Sequence, residues 1–209
     1  FPLQVDPPHN AAMVMIGASM LWVGWFGFNA GSALAADGNA GMALVVTHIS
    51  AATASLVWMI MDWSKFGKPT LIGLVTGTIA GLASITPASG SVGPIGALII
   101  GGSAGIICYL FVNIVKNKLR IDDSLDVFAV HGIGGLLGIL LVAFLVDSNI
   151  GGAGYAEGLN AISQLLIQLK GTVAVLVLSV VASIIIIYVV KFTVGLRVDE
   201  SSEVEGLDI

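Results

Sequence analysis

Long uncharged stretches alternate along the chain with short segments that carry the charges. No Asp, Glu, Lys or Arg lies between residues 9 and 37, 37 and 62, 68 and 116, 126 and 147, or 170 and 191. A bilayer core about 30 Å thick requires ~20 helical residues. Four of these stretches therefore fit one membrane helix each. The longest one fits two, because Pro87, Gly90, Gly93 and Pro94 divide it near its middle.

This pattern predicts an all-α fold, a polytopic membrane helix bundle with six transmembrane helices. The expected spans are 11–31, 41–61, 70–86, 93–115, 126–146 and 172–190. Residues 1–198 would form one transmembrane region, and residues 199–209 a cytoplasmic tail. An amphipathic stretch over 161–169 is either a helix in the membrane interface or an ordinary loop helix, and the sequence does not separate these alternatives.

The composition indicates a lipid-facing surface. Charged residues make up 10% of the chain, against about 25% in soluble proteins, and the mean hydropathy is +1.00. A net charge of −5 with eight basic residues argues against nucleic-acid binding. The single cysteine excludes an internal disulfide framework and a Cys-rich metal site. We find no phosphate loop, metal-ligand cluster or nucleophile with a base, and so expect no enzyme, catalytic residue, cofactor or metal.

The basic residues predict the orientation in the membrane. If the N-terminal end is cytoplasmic, seven of the eight Lys and Arg residues fall inside, and only Lys170 falls outside. Both ends are therefore expected in the cytoplasm, with the helices in the cell membrane. Residues 1–8 resemble an inter-helix loop, since they contain no initiator Met and no signal peptide. We interpret the chain as part of a larger protein.

Glycines inside the third and fourth spans predict close helix packing. Gly73, Gly77 and Gly81 repeat every four residues, and so do Gly101 and Gly105. Small residues along one helix face let neighbouring backbones approach.

The first span carries an aromatic and hydroxyl face. Trp25, Phe28 and Ser32 are spaced i, i+3 and i+7, which places them on one side of a helix. Aromatic faces attract cations, and a hydroxyl accepts a hydrogen bond from a donor-only ligand. Trp25 and Ser32 could hold a small cation that Phe28 then blocks. The alternative is an aromatic stripe that serves packing only.

His131 is the strongest candidate inside the membrane. It lies five residues past Asp126, within the fifth expected span, and an ionisable group at such depth is by default a functional hypothesis. A neutral imidazole can pass a proton along without staying charged. The alternative is a histidine satisfied by a backbone carbonyl. For His48 we favour the interpretation that nearby polar side chains satisfy its hydrogen bonds. Asp123 and Asp126 are expected to cap and anchor the start of the fifth helix.

Several segments resemble the Amt/Mep family of ammonium transporters. These are 24–32 (GWFGFNAGS), 67–69 (GKP), 86–88 (TPA), 123–132 with its DVFAVHG core, 195–198 (GLRV) and 205–208 (EGLD). They follow the family order over essentially the whole chain. The resemblance covers only the last six of the family's eleven spans and the start of its cytoplasmic tail.

The resemblance implies roles for three residues. Ser32 would belong to the outer ammonium site, Phe28 would be one of two stacked gate phenylalanines, and His131 would be the second of two pore histidines. It also implies a homotrimer, a missing N-terminal half that holds the other pore residues, and a PII-class signal protein as a cytoplasmic partner in many bacteria. The expected location is a bacterial or archaeal inner membrane. No role is implied for His48, where the family tends to carry asparagine.

The leading hypothesis is the C-terminal half of an ammonium transporter, in which ammonium is deprotonated, ammonia crosses a dry pore and histidines relay the proton. A second hypothesis is an ammonium sensor that uses the same membrane fold. A third, a self-standing membrane protein of six spans, is disfavoured by the missing first half.

Overall fold

The computed structural model describes residues 8–207, and all regular secondary structure within this part is helical. The all-α prediction is thereby confirmed. The helices are α1 (Ala11–Gly31), α2 (Gly38–Phe66), α3 (Leu71–Ile85), α4 (Pro94–Asn113), α5 (Ile133–Leu145), α6 (Ala161–Thr193) and α7 (Glu200–Glu205). A π-helical turn, Ile114–Lys118, continues α4. Another, Phe128–Gly132, leads into α5, and a 3₁₀ turn, Ser148–Ile150, follows it. Residues 1–7, expected to be a loop, and the last two residues of the tail lie outside the described part.

Local chemistry explains where the first helices begin and end. The side chains of Asn10, Asp37 and Thr70 accept hydrogen bonds from free backbone N–H groups in the first turns of α1, α2 and α3. Gly67 ends α2 with a φ of 73°, a left-handed conformation that glycine adopts without strain. Pro94 occupies the first turn of α4, where its missing N–H costs no hydrogen bond.

Among the described residues, five helical segments are long and apolar enough to cross a membrane: α1, α2, Pro94–Lys118, Phe128–Leu145 and α6. Helix α3 has only 15 residues and therefore spans about 22 Å. The count of six spans stays a prediction.

Several helix bounds differ from the expected spans, and α2, for example, covers Gly38–Phe66 instead of 41–61. Two further differences concern the fifth and the last span. The fifth helical segment starts at Phe128 instead of at Asp126, because Asp126 has a left-handed backbone with φ of 57°. The stretch 161–169 is joined to the last span in one continuous helix, α6. A lysine at residue 170 did not end the helix, since its long side chain can reach towards the interface.

Helix α2 packs against α1, α3 and α4. A Cβ atom added at Gly81 or at Gly101 would lie 2.5 Å from the backbone oxygen of Ser50. One added at Gly105 would lie 2.8 Å from Val57. The expected close packing is confirmed, because the glycine faces of α3 and α4 both lie directly on the backbone of α2.

The chain divides into two compact units, one ending at Gln168 and one beginning at Leu169. In the described part of the first unit, two clusters of buried side chains form the core. One joins Val46, Ile85, Ile100, Val142 and Leu145 with neighbouring alanines and valines, and the other joins Trp58, Ala80, Ala83, Cys108 and Val130. The second unit contains the rest of α6 and α7, where Arg197 forms a two-pronged ion pair with Glu203, at 2.7 Å for each bond.

Candidate functional site

Trp25 connects two of the other residues singled out in the sequence. Its indole ring meets Phe28 edge to face, with ring centroids 6.1 Å apart and planes at 90°. It also stacks on the imidazole of His131, with centroids 6.2 Å apart and planes within 15°. Helix α1 and the turn before α5 thus bring an aromatic pair and the intramembrane histidine together.

Thr86 holds the other end of this indole. The Trp25 Nε1–H donates to Thr86 Oγ1 over 2.8 Å. The Thr86 hydroxyl in turn donates to the carbonyl oxygen of Leu82, also over 2.8 Å. Sequence reasoning missed this residue. It lies in the recognised segment 86–88, but a contact across 61 positions leaves no signal in local spacing.

Ser32 lies just after the last turn of α1 and is exposed. Its hydroxyl donates to the carbonyl oxygen of Phe28 over 2.7 Å. Because the hydroxyl hydrogen is engaged, the lone pairs of Oγ remain to accept hydrogen bonds from a ligand. Ser32 and Trp25 are seven residues apart, about 10 Å along the helix axis. A shared cation site of these two residues stays a prediction, whereas the ring contacts of Trp25 are with Phe28 and His131.

His131 lies in the π-helical turn Phe128–Gly132. π-Helical turns are rare in proteins, but those that occur are often found at functional sites. The carboxylate of Asp123 accepts from the backbone N–H groups of Val127 at 2.8 Å, Phe128 at 3.0 Å and Ala129 at 3.3 Å. Asp123 therefore satisfies the free amides at the start of this helical segment and fixes the turn that carries the imidazole.

Asp126 has a different partner from the expected one. Its carboxylate forms an ion pair with Lys116, at 2.7 Å, and the Lys116 ammonium also donates to the carbonyl oxygen of Ser124. Burial raises the pKa of Asp126, although the neighbouring lysine favours the charged form. The pair connects the end of the fourth helical segment to the loop before the fifth.

The aromatic contacts adjoin an open apolar groove of about 550 Å³ along α1. It is lined by Gly17, Met20, Leu21, Gly24, Trp25 and Phe28. The Phe28 side chain is 60% exposed there. The lining is almost entirely apolar, and it extends along α1 from Gly17 to Phe28.

His48 contacts other aromatic rings of α1. Its ring lies 5.2 Å from that of Trp22 and 6.0 Å from that of Phe26. Beside it, Asn29 donates to Thr47 over 2.9 Å inside the contact between α1 and α2. His48 thus lies against Trp22 and Phe26, whereas His131 lies against Trp25. Within residues 8–207, no group of three or more His, Cys, Asp or Glu residues could hold a metal ion.

Comparisons with known proteins place this geometry in a family. Residues 4–209 match the model of the Ammonium Transporter Family. An ammonium transporter of Aquifex aeolicus is 45% identical, over 95% of this chain and 47% of that relative. Ammonium transporter Amt1 of Archaeoglobus fulgidus is 47% identical, over 97% of this chain and 51% of that relative.

Solved structures support the same family assignment. A "Sensor Amt Protein" superimposes with a TM-score of 0.88 at 32% identity, covering 96% of this chain and 49% of that one. Mep2 of Saccharomyces cerevisiae superimposes with a TM-score of 0.80 at 34% identity, covering 93% of this chain and 49% of that one. The chain spans about half the length of the relatives that it matches. It belongs to the ammonium transporter family, and the two relatives above are named as ammonium transporters, not as enzymes.

Proposed function

We propose that this chain supplies the second half of a pore that moves ammonium into the cell. The observation that carries the proposal is the contact of Trp25 with both Phe28 and His131. The gate ring of Phe28 and the imidazole of His131 are thereby connected through one indole ring. Membership of the ammonium transporter family indicates ammonium as the substrate. The same membership supports a multi-pass location in the cell membrane.

Ser32 would capture the cation. Ammonium carries four N–H donors and no acceptor, so the free lone pairs of Ser32 Oγ favour it over an ion of similar size that cannot donate. Aromatic faces near the same mouth add attraction for positive charge. The gate ring of Phe28 then separates this outer position from the pore.

Beyond Phe28, an apolar wall would penalise any charged species, because it cannot replace the lost hydration. Ammonium would lose one proton, neutral ammonia would cross, and the proton would travel separately. A neutral imidazole such as His131 accepts a proton on one ring nitrogen and releases one from the other. Ammonia then regains a proton on the cytoplasmic side.

The partners follow from the same reasoning and remain proposals. The exposed groove of α1 would be covered by the N-terminal half of the fold, which carries the remaining pore residues. A homotrimer in the lipid bilayer, with both ends of this segment in the cytoplasm, and a PII-class signal protein on the cytoplasmic side would complete the assembly.

Ammonium-elicited current in membranes containing the full-length protein tests this proposal. We expect His131→Ala to lower the current strongly, since general acid–base or relay groups contribute roughly 10²–10⁴-fold. His9→Ala is the matched control, because His9 precedes α1. Selective ammonium current that is unchanged in His131→Ala would overturn the relay role, and no current in the wild type would overturn transport itself.

A second candidate is an ammonium sensor, which the superposition with the "Sensor Amt Protein" favours. A sensor would bind ammonium and change the state of its cytoplasmic tail without carrying current. A fluorophore attached at position 201, in α7, would report such a change in the full-length protein. Ammonium-dependent fluorescence without current supports the sensor, whereas current without a fluorescence change excludes it.

A further inference from the structure

We infer that Thr86 is a positioning residue, which sets the plane of the Trp25 indole and through it the arrangement of Phe28 and His131. This inference rests on the proposed function for its effect on transport. The underlying geometry does not depend on that function and is tested separately below.

The Thr86 hydroxyl is a well-defined acceptor. Thr86 ends α3 and precedes Pro87, and its Oγ1–H is committed to the carbonyl oxygen of Leu82. A β-branched side chain has few accessible rotamers. The oxygen lone pairs therefore point in a fixed direction, towards the Trp25 Nε1–H at 2.8 Å.

This single bond determines the ring angles. An indole has one donor, and a half-buried donor without an acceptor is costly. The anchored ring lies within 15° of the imidazole plane of His131 and at 90° to the ring of Phe28. Rotation of the indole would change both angles together. Loss of the acceptor should thus disturb the gate and the histidine at once, although the hydrogen bonds of the Thr86 hydroxyl are with Trp25 and Leu82.

Helix α3 supplies a matched control. Thr76 is half-buried like Thr86, and its hydroxyl donates to the carbonyl oxygen of Ile72 over 2.9 Å. It makes the same back-bond four residues along the helix, but it receives no indole N–H in the described structure. Thr76→Val therefore removes an equivalent hydroxyl without releasing Trp25.

The experiment measures ammonium current against ammonium concentration and pH for the full-length protein. We expect Thr86→Val to lower the maximal current by roughly tenfold, the effect of losing one partly buried hydrogen bond. The half-saturating ammonium concentration should change by less than about threefold, because capture at Ser32 lies outside the gate. The pH profile should also move. A general packing defect would leave the profile in place.

Thr86→Ser retains the acceptor and should rescue the current, and Thr76→Val should stay close to the wild type. In a Trp25→Phe background, which has no indole donor, Thr86→Val should have no further effect. The inference is overturned if Thr86→Val behaves like Thr76→Val, or if Thr86→Ser is as defective as Thr86→Val. Should Thr86→Val fail to assemble, Thr86→Cys gives the same comparison, since sulfur is a weak acceptor.

A readout independent of transport separates this inference from the proposed function. The indole ¹⁵N–H resonance of Trp25 is identified by its loss in Trp25→Phe. It should shift upfield and exchange faster with solvent in Thr86→Val, but not in Thr76→Val. An unmoved resonance overturns the positioning role even if the protein conducts. A moved resonance in a protein without current supports it while the transport proposal fails.

Discussion

Gly101 offers the sharpest test of the packing that holds α2 and α4 together. A Cβ atom at this position would lie 2.5 Å from the carbonyl oxygen of Ser50 and 2.9 Å from its Cα. Both are backbone atoms of α2, so no side chain can rotate out of the way. Gly101→Ala must therefore push α4 away from α2.

The required movement sets the magnitude. Ordinary contacts begin at 3.4 Å, so the helices would have to separate locally by about 0.9 Å. Overpacking of this kind costs typically 1–3 kcal/mol. Ser50 also donates its hydroxyl to the carbonyl oxygen of Gly81 on α3, so displacement of Ser50 would distort this bond as well and add to the loss. We expect the free energy of unfolding to fall by about 2 kcal/mol.

The neighbouring Gly102 provides the control. An added Cβ there meets only the methyl carbon of Thr53, at 4.0 Å. Gly102→Ala shares any gain in helix propensity, up to ~1 kcal/mol, without the collision. Equilibrium unfolding of the full-length protein in detergent, titrated with SDS, compares the two variants. Equal stability of Gly101→Ala and Gly102→Ala would refute the close approach of α2 and α4.

Three further predictions concern charged residues near the ends of the helices. Asp123→Ala should cost about 1–2 kcal/mol in the same unfolding assay, because three amides lose their acceptor. Asp122→Ala should cost little, since within residues 8–207 that carboxylate accepts from the hydroxyl of Ser124 alone. Equal losses would contradict the capping role of Asp123. Lys116→Met should raise the already elevated pKa of Asp126 further. Its folded state would then hold a proton that the unfolded state releases, so the variant should lose stability as pH rises from 4 to 7 relative to the wild type, and parallel pH curves would count against the pair. Serine hydroxyls and a backbone amide lower the pKa of Asp199 from 3.8 to about 2. The capping of α7 should therefore be intact above pH 4 and be lost as pH falls towards 2, and a carboxyl ¹³C titration with a midpoint near 4 would disprove it.

Much of the helical pattern was predictable because membrane helices obey a length rule. Charges are costly in lipid, so the uncharged stretches mark the helices, and the expected span 11–31 coincides with α1. The glycine faces could also be predicted, because residues four positions apart lie on the same face of any α-helix. Local rules failed where a helix end depends on its surroundings. The start at Phe128 follows from the Asp126 backbone and the reach of the Asp123 carboxylate, neither of which has a periodicity.

The sequence by itself determined the class of protein, the approximate position of each helix, and the candidates Trp25, Phe28, Ser32 and His131. Only the tertiary structure decided which of them meet. Trp25 and His131 are brought together by the packing of separate helical segments, and Thr86 becomes relevant only because its hydroxyl faces the indole across 61 positions. Spacing along one helix constrains neighbours within a few turns, whereas contacts between helices depend on how their surfaces fit.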